Sequence, residues 1–143
     1  MEVKTQMNFL NAILLFSYFF IAAISYFYLY KSRHLIGYHL GMNIAMLSST
    51  AIGLAVGTVL GSQFPLDEGV ITIVTTIVAV AVGIVFGALV DYQTILTGVA
   101  SGVMSGLMGP MLGLHSTQPA FLIICTTIVV FLSFILLRFS VRN

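Results

Sequence analysis

Charged side chains are scarce in this chain of 143 residues: Asp, Glu, Lys and Arg make up 6% of it, and hydrophobic residues make up 59%. Soluble domains carry about 25% charged residues. The composition therefore predicts an integral membrane protein, which we expect in the cytoplasmic membrane of a bacterium, with the lipid bilayer as its surroundings. A net charge of +1 also excludes the basic surface that nucleic-acid binding needs, so we expect no nucleic-acid partner.

Cysteine and catalytic motifs are equally scarce. The single cysteine, Cys125, excludes an internal disulfide and a Cys-x-x-Cys zinc site. The sequence contains no Gly-x-x-x-x-Gly-Lys phosphate loop, no His-Glu-x-x-His zinc motif and no Gly-x-Ser-x-Gly nucleophile elbow. We therefore predict a protein without enzymatic activity.

Five apolar runs each come close to the length of about 20 residues with which a helix crosses the hydrocarbon core. They predict an all-α integral membrane protein with five transmembrane helices, which form a single membrane domain over residues 1–143. The expected spans are Asn8–Tyr30, Leu35–Gly61, Val70–Val90, Thr94–Leu114 and Ala120–Leu137.

The basic residues predict how the chain is oriented. Lys31 and Arg33 follow the first run, and Arg138 and Arg142 close the chain. Short loops that carry Lys and Arg stay on the cytoplasmic side of a membrane. An odd number of spans puts both pairs on that side, so we expect the N-terminus outside and the C-terminus in the cytoplasm.

A repeated pattern relates the second and third runs to the fourth and fifth. We interpret it as a duplicated helical hairpin, and chance similarity between apolar segments is the alternative. The matching segments are GTVLG at 57–61 with GPMLG at 109–113, and TTIV at 75–78 with TTIV at 126–129. The resulting parts are a leading helix and basic loop at 1–34, a first hairpin at 35–91 and a second hairpin at 92–143.

Small residues recur at every fourth position in two of the runs. Such rows let helix backbones approach closely, which matters in lipid because apolar burial gives helices no preference for one another over lipid tails. We expect the rows to form packing surfaces of the second and fourth helices, and also to be available to a second copy or another membrane protein. The rows are Gly37, Gly41, Ala45, Ser49, Gly53, Gly57 and Gly61 in the second run and Gly98, Gly102 and Gly106 in the fourth, with Gly83 and Gly87 in the third.

Soft metal ligands lie at helical spacing in the same two runs. Thioether and imidazole groups are the ligands that Cu(I) prefers. The spacing keeps each set on one helix face, and the depths of the ligands form a ladder across most of the bilayer if the two helices face each other. We therefore predict Cu(I) binding, for transport of copper or its delivery to a membrane partner. The inner set is His39, Met42 and Met46, and the outer set is Met104, Met108, Met111 and His115.

Two further residues are candidate members of these sites: Cys125 by its depth near that of Met108, and Asn43 by its place on the face of His39. Methionines at helical spacing also serve as flexible core filler, so a metal-free module that packs through its glycine rows is the main alternative. A small-solute or ion channel lined by Asn43, Thr50 and Asp91 is a third interpretation.

The pair Met42-x-x-x-Met46 beside glycines at every fourth position is similar to the combination of Met-x-x-x-Met and Gly-x-x-x-Gly in eukaryotic copper-uptake transporters. Those proteins have three spans and place the two motifs on different helices. The resemblance implies copper ligation by these methionines, and it assigns neither a family nor a fold to this chain.

Overall fold

The computed structural model describes residues 2–31, 34, 37–63, 66, 68–115 and 117–142. Arg33 and Leu35, which take part in the predicted topology, lie outside the described residues. Each helix contains an apolar stretch long enough to cross a bilayer, so the prediction of an all-helical chain with five helices of spanning length is confirmed for the described residues. The helices are α1 (Glu2–Lys31), α2 (Tyr38–Gln63), α3 (Glu68–Gly87), α4 (Tyr92–His115) and α5 (Pro119–Arg142).

The observed helices differ from the expected spans in where α1 begins and where α3 ends. α1 begins at Glu2, six residues earlier than expected. α3 ends at Gly87, whose carbonyl oxygen accepts hydrogen bonds from the backbone N–H groups of Val90 and Asp91 at 3.2 and 3.3 Å, which turns the chain. The carboxylate of Asp91 then accepts a hydrogen bond from the backbone N–H of Tyr92 at 2.6 Å. A negative charge at this position complements the dipole of α4.

α2 is the central helix. In its apolar window 72% of the residues are buried, whereas the share is 33% or less in the other four helices. α2 contacts each of the other helices, most extensively α4. Small side chains explain this position, because Gly, Ala and Ser along α2 leave room for neighbouring backbones on several sides.

α2 and α4 run parallel and meet along their small residues. Gly53 lies opposite Ser105, and Gly57 lies opposite Gly109. A Cβ atom on Gly57 would lie 2.8 Å from the Cα atom of Gly109, so the two backbones leave no room for a side chain between them. The hydroxyl of Ser105 donates a hydrogen bond to the backbone carbonyl oxygen of Ser49 at 3.3 Å, which joins the two helices.

α3 and α4 form an antiparallel hairpin whose backbones also touch. Gly83 packs on Gly98, and Gly102 packs on the backbone of Ala79. The members of the glycine rows that lie within α2 and α4 are thus buried in a single copy of the chain. Gly37, which precedes α2, is the exposed member of these rows.

α1 and α5 pack on each other and on α2 at the edge of the bundle. The hydroxyl groups of Tyr18 and Thr127 are joined by a hydrogen bond of 2.5 Å. Further along, the guanidinium carbon of Arg138 lies 5.4 Å from the centroid of the Tyr28 ring. These pairs show that α1 and α5 run parallel, so Lys31 and Arg138 lie at the same end of the molecule, which we call the basic end.

The two proposed hairpins pack differently. α3 contacts both α2 and α4, whereas α5 has its main contacts with α2 and α1. A duplicated hairpin would place α5 against α4 as α3 lies against α2. The repeat in the sequence therefore has no matching packing among the described residues, and the duplication stays a prediction.

Most Ser and Thr hydroxyl groups donate their hydrogen to their own helix. The hydroxyls of Thr58, Thr97 and Ser101 donate to the carbonyl oxygen four residues earlier at 2.6–2.9 Å. Polar groups within a bilayer need such partners because no water is available there. Ser105 and Thr127 differ because the hydroxyl of each is also hydrogen-bonded to another helix.

Candidate functional site

The methionines of the outer set lie on the exposed face of α4. The exposed fractions of Met104, Met108 and Met111 are 67%, 55% and 53%, and His115 at the end of the helix is exposed as well. At about 100° per residue, these four side chains point about 100° to 160° away from Gly109, whose face packs on α2. The contacts that bring α4 against its neighbours thus leave the soft ligands on the outside of the bundle.

Three members of the outer set line one open groove. Met108, Met111 and His115 lie along a cavity of about 480 Å³, whose walls are completed by Leu112 of α4 and Leu122 of α5. The spacing of the three ligands spreads them over about two helical turns, or about 10 Å. The groove therefore gathers two thioether sulfurs and an imidazole where α4 ends.

The imidazole of His115 is held by its own helix. Its Nδ1 atom lies 3.0 Å from the backbone carbonyl oxygen of Met111. Because a carbonyl oxygen only accepts hydrogen bonds, Nδ1 of the neutral ring carries the hydrogen and Nε2 carries the lone pair. Histidines that bind metals are commonly oriented in this way, by a backbone carbonyl oxygen on the other ring nitrogen.

The inner set lies near the start of α2. Met46 is 44% exposed, Met42 is half-buried, and His39 and Asn43 are exposed. Met46 precedes Gly53 by seven residues and shares its helix face. The exposure of Met46 shows that α4 covers this face only further along α2.

The inner and outer sets do not share a passage between α2 and α4. The contact of Gly57 with Gly109 closes the seam between the two helices at backbone distance. The outer set lies on the far side of α4, away from that seam. A continuous row of thioethers between the helices, which the spacing alone allows, is therefore not formed in one copy of the chain, because the small residues occupy the contact face.

Cys125 is a free, half-buried thiol on α5. It lies one turn after Leu122, and it is not among the side chains that line the groove. The residues expected to line a channel are Asn43, Thr50 and Asp91. They line neither this groove nor a groove between α1 and α5.

Within the part of the chain that the structure describes, no three His, Cys, Asp or Glu side chains come close enough together to hold a metal ion. Thioethers select soft ions such as Cu(I) and disfavour the hard cations that prefer carboxylates.

Two features of the groove escaped the sequence analysis. No pattern in the sequence indicates that Leu122 lines the groove, because this depends on where α5 lies relative to α4. The hydrogen bond from His115 to the carbonyl oxygen of Met111 was predictable from the sequence, because residues four apart on a helix are neighbours.

Five helices of the described chain are long and apolar enough to cross a membrane, and Met108, Met111 and His115 lie together at the end of one of them. No protein-family model, curated protein or solved structure matches the chain. The site is therefore assigned from the geometry of its own residues.

Proposed function

We propose that this membrane protein binds Cu(I) in the groove at the end of α4 and delivers it to a membrane partner. The observation that carries the proposal is the joint lining of that groove by Met108, Met111 and His115. Two thioethers and one imidazole form the kind of ligand set that Cu(I) prefers. Nε2 of His115 supplies the imidazole lone pair, because Nδ1 is engaged with the carbonyl oxygen of Met111.

Met104 extends the ligand row by one turn. It precedes Met108 by four residues and is the most exposed of the three methionines of the outer set. An ion that leaves the groove along α4 meets its sulfur about 6 Å further into the membrane. Several similar, weak ligands favour transfer, since an ion that is held too tightly does not leave.

The exposed face of α4 favours delivery of Cu(I) to a partner over passage of the ion through one copy of the chain. The outer set is exposed, whereas the seam between α2 and α4 is closed at Gly57 and Gly109. A partner helix on the exposed face of α4 would cover the methionines and take the ion by ligand exchange. Transport is the second form of the proposal, and it needs a second copy or another protein to complete the path.

We assign the inner set, His39, Met42 and Met46, to a separate and second Cu(I) site with Asn43 beside it. Its support is the common helix face and the exposure of Met46. Cys125 is a candidate additional ligand of the outer site, because it lies one turn along α5 from the groove wall.

The basic end of the molecule is proposed to face the cytoplasm, which puts the N-terminus outside and the C-terminus inside. Lys31 is exposed where α1 ends, and Arg138 lies near the end of α5 on the same side. Lys and Arg next to membrane spans are enriched on the cytoplasmic side. The groove then lies toward the exterior, in the cytoplasmic membrane of a bacterium.

A metal-free accessory subunit is the second candidate function. It is favoured by the exposure of α1, in whose apolar window only 17% of the residues are buried. Phe16, Phe20 and Phe27 are exposed by 78%, 68% and 70%. In that case the exposed methionines would serve as adaptable contacts for a neighbouring membrane protein.

Anaerobic titration of the detergent-purified protein with Cu(I), against a bathocuproine-type chelator, tests copper binding. The test variant replaces Met108 and Met111 with leucine, which nearly keeps the volume and removes the sulfur. The matched control makes the same replacement at Met42 and Met46. We expect the test variant to bind at the groove about a hundredfold more weakly, or about 2.8 kcal/mol, and the control to keep that site. Equal retention of Cu(I) by the wild type and the test variant would exclude the groove as a copper site.

Copper uptake by proteoliposomes separates delivery from transport. With the protein reconstituted alone, delivery predicts bound Cu(I) without uptake above that of protein-free liposomes. Uptake that disappears in the variant with leucine at both Met108 and Met111 would replace delivery by transport.

A further inference from the structure

A second groove lies between α1 and α5 near the basic end of the molecule. Its volume is about 300 Å³. It opens toward the surroundings of the bundle, since Ile24 and Ile135 on its walls are 53% and 50% exposed. Apart from one serine, one tyrosine hydroxyl and one arginine, its lining is apolar. The side chains that matter here are Ile24, Ser25, Tyr28, Phe131, Ile135 and Arg138.

One positive charge stands at the end of this groove. The guanidinium carbon of Arg138 lies 5.4 Å from the centroid of the Tyr28 ring, which is a cation–π contact. None of the described side chains that line the groove is acidic. A guanidinium presents its N–H groups as a planar fork that matches two oxygens of a phosphate, so Arg138 gives the groove a phosphate-binding group.

The position of the groove across the membrane matches the geometry of a lipid. Arg138 is the last residue but one of the apolar window Phe121–Phe139 of α5, where the hydrocarbon core gives way to headgroups. Phe131 lies about two helical turns further into the membrane than Arg138, and Ile24 lies about one turn further than Tyr28. The groove thus joins a cationic site at the interface to an apolar channel along the helices.

We propose that the groove between α1 and α5 binds one anionic phospholipid, with its phosphate on Arg138 and one acyl chain along the apolar walls. The apolar walls identify a lipid as the source of the phosphate, because a free phosphate ion would leave them without a ligand. The site is separate from the copper groove, since it shares no lining residue with that groove and lies at the other end of the molecule.

Native mass spectrometry of the full chain in mixed micelles tests whether the charge of Arg138 selects an anionic phospholipid. The micelles contain phosphatidylglycerol and phosphatidylcholine with the same acyl chains. We expect the wild type to retain phosphatidylglycerol about fivefold over phosphatidylcholine, and Arg138→Gln to lose this preference. Lys31→Gln removes a charge from the same end of the molecule without touching the groove, so it is expected to keep the preference.

A groove-filling substitution tests the apolar part. Ile135→Phe adds bulk inside the groove and is expected to lower the retention of both phospholipids. Ile128→Phe makes the same change at an exposed position of α5 outside the groove and is expected to have no effect. The proposal is overturned by a wild type without preference, by equal losses in Arg138→Gln and Lys31→Gln, or by unchanged retention in a folded Ile135→Phe variant.

Discussion

The two faces of α4 differ in composition and in what they touch. On one face Gly98, Gly102 and Gly109 lie against the backbones of α3 and α2. On the other face the methionines of the outer set are each more than half exposed. The glycines and the methionines both recur with the helical period within the same 24 residues of α4.

This difference shows that small residues, and not large apolar ones, determine which side of α4 is buried. Lipid tails are as apolar as methionine, so burying Met104 or Met108 against protein gains little over leaving it in lipid. Close approach of two backbones gains dispersion contacts that only glycine permits. The methionines of the outer set are therefore not filler in the core of this chain.

Placing the same residue on each face of α4 is expected to have the largest effect. A Cβ atom on Gly102 would lie 2.8 Å from the backbone of Ala79, so Gly102→Leu forces α3 and α4 apart. We expect a loss of stability beyond the about 1–3 kcal/mol of ordinary overpacking, seen as loss of the monodisperse peak in size-exclusion chromatography. Met104→Leu, two residues away on the exposed face, is expected to cost less than about 1.5 kcal/mol. Similar behaviour of the two variants would remove the distinction between the faces.

Changing the imidazole at the end of the exposed face is expected to have an intermediate effect. His115→Gln replaces a soft-metal ligand with an amide, and we expect Cu(I) affinity to fall about tenfold, or about 1.4 kcal/mol. His115→Met restores a soft ligand at the same position and is expected to recover most of the affinity. If glutamine and methionine behave alike in the chelator titration, position 115 is not a ligand.

Removing a hydroxyl from the buried face is expected to have the smallest effect. Ser105→Ala deletes the hydrogen bond to the carbonyl oxygen of Ser49, and such bonds between membrane helices contribute about 0.6 kcal/mol on average. Ser101→Ala deletes only a bond within α4, to the carbonyl oxygen of Thr97, and serves as the control. A lower melting temperature in detergent for the first variant, and not for the second, is the expected result.

Much of the fold follows from the sequence. Apolar length alone predicts five helices, and the glycine rows predict which helices pack tightly, because close approach in lipid needs small residues. Spacing does not tell which neighbour a row meets. Gly98, Gly102 and Gly106 pack on α3, while Gly109, which lies outside that row, packs on α2, so the glycines of α4 serve two helices. That division depends on how α4 crosses its neighbours, which a single periodic pattern does not encode.

The candidate site follows from the sequence only in part. The spacing of Met108, Met111 and His115 places them on one face, and the structure brings them to one groove. Their relation to Met42 and Met46 was not predictable, because it depends on which face of α4 the glycines turn toward α2. The same glycines that draw the two helices together separate the two sets of ligands.

The most direct test of copper binding in the groove is the copper K-edge X-ray absorption spectrum of protein loaded anaerobically with Cu(I). We expect sulfur and nitrogen neighbours of the copper, and we expect the sulfur contribution to fall when Met108 and Met111 are both replaced by leucine. A copper shell of nitrogen and oxygen alone, or a sulfur contribution unchanged in that variant, would contradict the proposed site.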